Sequence, residues 1–179
     1  MSGEWSFKTS YIHVPNWVST LWGCSTYFPT SLAHNLGFLL TQEAEWNMFL
    51  VSDFAIPREF FDIARLRDQE HDFFNPYNRA VFLGEKKAEK FHENWKKKGY
   101  IARYTIKRGR QFKNPTGGII FVKSKAFKAV GGYDPEMFCG WAPEDHTFLY
   151  KLARYYEMLP KKTPREKQRI VHLPHNNTE

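Results

Sequence analysis

Residues 117 to 152 read GGIIFVKSKAFKAVGGYDPEMFCGWAPEDHTFLYKL, and the fold follows from this stretch. A glycine pair precedes the apolar, β-branched run Ile119-Ile120-Phe121-Val122, which predicts a buried strand. Ser124–Val130 predicts a short helix with Ser124 as its cap. A second glycine pair, Gly131-Gly132, ends it. Then comes a loop with Trp141, and Pro143 opens a helix that carries the adjacent acids Glu144 and Asp145 in its first turn and runs to about Tyr156.

Outward from this stretch, strands and helices alternate. Leu32, Leu36, Leu39 and Leu40 share one face of a helix starting near Thr30. Asn47–Ser52 is apolar and predicts a buried central strand ending at Asp53, with Pro57 opening a helix over Arg58–Arg67. Asp72–Tyr77 reads as a loop and Arg79–Leu83 as a strand. Glu85–Lys98 reads as a helix with Phe91 and Trp95 one turn apart, ended by Gly99. Strands are predicted at Tyr100–Ile106 and Ile170–His172, and a short one at Tyr11–Val14. Residues 1–29 are otherwise loop-rich. Strand–helix alternation predicts a single α/β domain over residues 1–179, with a mixed sheet flanked by helices.

The bulk composition excludes several classes. The chain has 179 residues, 42% hydrophobic and 25% charged, with a formal net charge of +7. That length buries a sizeable core. Most of its 16 Phe belong in that core. The positive balance suits a phosphate-bearing ligand, and the basic clusters Lys96–Lys98, Lys107–Arg110 and Lys161–Arg169 read as solvated faces without a nucleic-acid motif. No apolar run approaches ~18 residues, so no membrane span is expected. The opening MSGEWSFKTSYIHVP has no apolar core of signal type. Two cysteines, Cys24 and Cys139, stand far apart without a metal or redox spacing, which fits free thiols in a reducing compartment. A cytoplasmic protein is the expectation from these features.

The 117–152 stretch resembles the acceptor half of nucleotide-sugar glycosyltransferases of the GT-A fold, of the family-2 or galactosyltransferase C-terminal type. Their pattern runs GG-x-hydrophobic, then GGFD, then GWG-x-ED. Two upstream segments extend the likeness. Phe49–Asp53, followed by Pro57, is similar to the family's FLDAD-x-Pro run. Ser31–Gly37, SLAHNLG, is similar to its A-R-N-x-G helix start. The resemblance covers about residues 10 to 176.

That resemblance implies a metal-dependent transfer of a sugar from a nucleotide-diphosphate donor to an acceptor hydroxyl on a glycan or glycoconjugate, with inversion. Asp145 takes the place of the base, which must lie within hydrogen-bond reach of the attacking hydroxyl. Glu144, Trp141, Gly117, Gly118 and Asn35 take places that contact donor or acceptor. Asp53 takes the place of the acid that holds Mn²⁺ or Mg²⁺ on the diphosphate, where a hard cation neutralises the leaving group. His172 takes the place of a third ligand, with His175 as the alternative, and an imidazole ligand favours Mn²⁺.

The chain departs from the pattern in places. Val51 stands where the first acid is usual, and Ala142-Pro143 replaces a Gly-containing step. The two β-α units that hold base and ribose have no counterpart before Tyr11, so the resemblance implies an N-terminally truncated domain. A trimmed enzyme, a fragment completed by a second chain, and a sugar-binding relic all fit that departure. The competing readings are thus an inactive carbohydrate-binding module or partner subunit on a partial GT-A fold and, more distantly, a basic nucleic-acid scaffold.

Overall fold

The computed structural model describes residues 30–41, 43–56, 71–98, 110–113, 117–135, 143–158 and 169–174. The elements in chain order are α1 (Thr30–Thr41), β1 (Trp46–Leu50), β2 (Phe54–Ala55), β3 (Phe73–Phe74), β4 (Arg79–Phe82), α2 (Glu85–Lys98), β5 (Arg110–Lys113), β6 (Ile119–Lys123), α3 (Ser124–Ala129), α4 (Glu144–Tyr155) and β7 (Arg169–His172). They build an α/β structure with two small sheets. One is antiparallel, in the order β1-β6-β3; the other is mixed, in the order β2-β7-β4-β5, with β4 and β7 parallel. The segments expected as elements at Tyr11–Val14, Arg58–Arg67 and Tyr100–Ile106 lie outside the described residues.

Strand β6 is the hub. Ile119 to Val122 are all buried, as a continuous apolar run requires when both faces of a strand are covered. Its register pairs Leu50 with Ile119 and Trp46 with Lys123. Above it an aromatic core joins α1, β1, α3 and α4. Phe38 stacks on Phe127 at 4.1 Å, and Tyr133 stacks on Phe148 at 4.1 Å. Phe49 sits among them, 5.1 Å from Phe127. Such offset ring pairs add to the area term of burial. Helix α2 lays Ala88 and Phe91 against Val81, Leu83 and Val171.

Four local expectations are corrected. Helix α1 forms as predicted, but it buries Ser31 and Phe38, while Leu39 and Leu40 are about 60% exposed (59% and 61%). The ring-to-ring contact of Phe38 with Phe127 and the polar grip of Asn35 on the loop after α3 set its rotation. Strand β1 is an edge of its sheet among the described residues, with alternating burial, rather than a central strand. Residues Asp72–Tyr77 are not a plain loop: Phe73 and Phe74 pair with β6 and are buried. Ser124 is not the cap of α3. Lys123 holds that position without a side-chain cap bond. The Ser124 hydroxyl instead donates to the Ala44 carbonyl and accepts from Asn47 Nδ2 at 2.8 Å. Asn47 Oδ1 accepts from Thr41 Oγ1 at 2.8 Å. A buried amide has to find partners, and this one ties the end of α1 to the starts of β1 and α3.

Asp72 staples the far side. Its carboxylate lies 2.9 Å from Lys125 Nζ and 3.5 Å from Lys123 Nζ, and it accepts the Tyr156 hydroxyl at 2.8 Å. Burial alone would push its pKa up; the bonds from Lys125 and Tyr156 and the two ammonium charges outweigh that and hold it below the ordinary 3.8. A depressed acid contributes stability that is complete above its unfolded value and is lost as pH falls through its folded value. We expect Asp72→Asn to cost about 1 kcal/mol at pH 7 in urea unfolding. The difference from the parent protein should vanish below the folded-state pKa of Asp72, where both side chains are neutral.

Candidate active site

The predicted site residues Asp53, Asp145 and His172 lie near where β1 ends and β6 begins. This is the rim at which open α/β sheets place ligands. After Leu50 the chain turns through Val51, Ser52 and Asp53 into β2, crossing from one sheet to the other. The Val51 N–H donates to the Gly118 carbonyl at 2.9 Å, which extends the β1–β6 ladder by one residue. On the second sheet, β7 ends with His172 beside Phe54 of β2 and Phe82 of β4. The Leu173 N–H donates to the Asp53 carbonyl at 2.8 Å.

This pairing brings two of the predicted metal ligands together. His172 Nε2 lies 3.0 Å from Asp53 Oδ2. The His172 ring is held in place by aromatic neighbours: Phe82 stacks on it at 4.1 Å, and Phe54 meets it edge-on at 5.0 Å. Both side chains keep partial exposure, 15% for His172 and 24% for Asp53. Among the described residues no cluster of three or more His, Cys, Asp or Glu side chains gathers as a metal site. His175 and Trp141 lie outside the described residues.

Asp145 enters from the other side of the same glycine pair. Pro143 takes the N-cap position of α4 rather than its first helical residue, and Glu144 and Asp145 fill the first turn. Asp145 Oδ2 accepts the Gly118 N–H at 2.8 Å. Burial pushes the Asp145 carboxyl above the usual carboxylate range, against the Gly118 N–H, the His146 charge and the Tyr133 hydroxyl, which favour the ionised form. His146 itself is exposed.

The glycine pair is shaped by this crowding. The Gly117 carbonyl accepts the hydroxyl of fully buried Tyr77. A Cβ on Gly117 would stand 2.7 Å from Asp145 Oδ2. Gly118 has a φ of +96°, and a Cβ there would stand 2.2 Å from Phe54 Cε2. Sterics and dihedral therefore both demand glycine at 118. Phe54 thus touches Gly118 on one side and His172 on the other, linking the acid to the Asp53–His172 pair through one ring.

Asn35 pairs its amide with the backbone of Tyr133. Its Nδ2 donates to the Tyr133 carbonyl and its Oδ1 accepts the Tyr133 N–H, both at 2.9 Å. Lys151 Nζ, 2.7 Å from both the Gly132 carbonyl and Asp134 Oδ1, holds the same loop from α4. Gly131 and Gly132, with φ of +74° and +69°, make the reversal that delivers Tyr133 to this grip. Tyr133 and His34 are site residues not singled out above. They line a cavity of about 10 Å³ with Phe49, Gly118 and Asp145. The visible signals were the tyrosine in GGYD and the histidine in AHN, where the resembled patterns carry Phe and Arg.

Residues 97–176 match the family model described as the N-terminal domain of galactosyltransferase. Over that span the match supports a galactosyltransferase-like domain of GT-A type. The span contains the glycine pair, Asp145 and His172; Asn35 and Asp53 precede it. No curated protein and no solved structure gives a significant match. Among the described residues no helix is long and apolar enough to cross a membrane.

Two substitutions separate the roles of the glycines and the clamp. Gly118→Ala should cost about 2 kcal/mol or more, from positive φ and the Phe54 clash together, read as a lower midpoint in urea unfolding. Asn35→Ala should cost a similar amount, about 2 kcal/mol, because it unpairs the Tyr133 backbone groups in a half-buried setting.

Proposed function

We propose that this protein is a metal-dependent glycosyltransferase that moves a sugar from a nucleotide-diphosphate donor to a hydroxyl of a glycan acceptor, with inversion. The observation that carries the reading is the shared backbone of Gly118. One side of it holds a half-buried carboxylate, and the other adjoins, through Val51 and Phe54, a paired carboxylate and imidazole. The match to a galactosyltransferase domain supports the same class.

In this reading Asp145 is the base. A carboxylate with a raised pKa is a stronger proton acceptor than an ordinary one, and so better matched to a hydroxyl at neutral pH. The Gly118 N–H fixes one of its oxygens, leaving the other to receive the proton. Asp53 and His172 would hold the divalent cation. Their donor set fits: such ions take one or two protein ligands and fill the remaining positions with phosphate oxygens and water, and the imidazole favours Mn²⁺ over Mg²⁺. The bound cation would stabilise the negative charge of the departing nucleoside diphosphate. Glu144, beside the base, and Trp141, three positions before it in the chain, are proposed to contact the sugars.

The test is release of nucleoside diphosphate from a panel of nucleotide sugars with Mn²⁺ and glycan acceptors. Asp145→Asn should lower kcat by about a thousandfold or more at little cost in donor affinity. Asp53→Ala should abolish the dependence on Mn²⁺ along with turnover. The acid limb of the pH–rate profile should lie above the ordinary carboxylate range, because Asp145 must be ionised to act. Tight glycan binding with no turnover under any donor would instead favour a sugar-binding module.

A further inference from the structure

Two residues that line one cavity with Asp145 each carry a buried polar atom without a well-aligned hydrogen-bond partner. Tyr133 is 2% exposed, and its hydroxyl, close enough to the Asp145 carboxyl to favour the ionised acid, makes no well-aligned hydrogen bond. His34 Nδ1 is likewise buried and unpartnered, and the His34 ring lies 4.6 Å from the Tyr133 ring. Buried polar groups are almost always satisfied, by protein or by ordered water. The cavity they share with Asp145 measures about 10 Å³, about the least space that holds one water molecule. It offers that molecule a hydroxyl, an imidazole nitrogen and a carboxyl oxygen.

We propose that Tyr133 is a positioning residue for Asp145, and that its hydroxyl, His34 Nδ1 and the carboxyl group together form a binding site for a single water molecule that locks the carboxyl group in orientation. The Gly118 N–H holds one oxygen of the carboxyl group, and this site adds a second hold. Burial keeps His34 neutral at physiological pH, with its pKa lowered to about 4, so its nitrogens can donate or accept without adding charge beside the acid. The other groups around the carboxyl are the Gly118 N–H and, on its own helix, Glu144 and exposed His146. Every anchor of Tyr133 serves the placement. Asn35 grips its backbone, Phe148 stacks on its ring, and Lys151 secures the residues on either side.

The kinetic part rests on the reading of Asp145 as the base; the spectroscopic part does not. Asp145 carboxyl titration is followed by carbon-13 NMR in the parent protein and in Tyr133→Phe. Loss of the hydroxyl removes a donor to the ionised acid, so the midpoint should rise by about half a unit or more. His34→Phe, which keeps a ring of similar shape, should move it in the same direction by less. With a transferable donor and acceptor, Tyr133→Phe should lower kcat about tenfold with KM within about twofold. As a check from the other side, in Asp145→Asn the Tyr133 Cζ resonance should move more than those of the other tyrosines, and this decides the matter if Tyr133→Phe does not fold. An unchanged Asp145 midpoint in well-folded Tyr133→Phe, or an unmoved Tyr133 resonance, overturns the proposal even if the parent protein transfers sugar. A shifted midpoint in a parent protein that transfers nothing sustains the site and sinks the transferase reading.

Discussion

The two hydrogen bonds of the Gly118 backbone are the constraint on which the rest depends. Its N–H holds the Asp145 carboxylate, and its carbonyl takes the Val51 N–H. The two groups flank a single Cα, so with Gly118 held at a φ of +96° these contacts fix helix α4 relative to the turn that carries Asp53. No side chain fits at the junction, since Phe54 fills the space a Cβ would need. The acid and the Asp53–His172 pair are thus held by backbone and one aromatic ring. Flexible side chains do not have to be ordered to bring them together, which spares conformational entropy.

Around that junction the protein places polar groups deeply, and each has a structural reason. Asn35 substitutes for a strand partner by pairing with both backbone groups of Tyr133. Asn47 and Ser124 close the gap between two sheet-flanking helices. Asp72 ties β6, α3 and the end of α4 through two lysines and a tyrosine. The aromatic core supplies the bulk of the apolar burial, and these polar ties select one arrangement of it. A buried amide or carboxylate tolerates few alternatives, because an unsatisfied partner costs about 1–3 kcal/mol.

The elements with strong local signals were legible. The run Ile119–Val122 is apolar on both faces and became the hub strand; Gly131-Gly132 ends α3 in left-handed backbone; the acids after Pro143 open α4. Misreadings arose where a local pattern met a tertiary choice. The leucines of α1 have helical spacing, yet one stacked Phe and one amide grip turn that face outward. Phe73-Phe74 is too short to announce itself as a strand and becomes one only because β6 offers an open edge. Ser124 has the chemistry of a cap, but the buried Asn47 beside it competes for its hydroxyl.

Residue type and spacing by themselves determined the α/β class and the glycine-bounded hub strand, which follow from backbone sterics and apolar patterning, both local properties. The acids and the histidine were singled out by the resemblance of their segments to the GT-A glycosyltransferases. Only the tertiary structure decided that Asp53 and His172 stand 3.0 Å apart across 119 positions of chain, that Asn35 clamps the Tyr133 backbone, and that Tyr133 and His34 line one cavity with Asp145. Those placements depend on sheet register and helix rotation. Both are set by packing between elements distant in the chain, and no local window of residues contains that information.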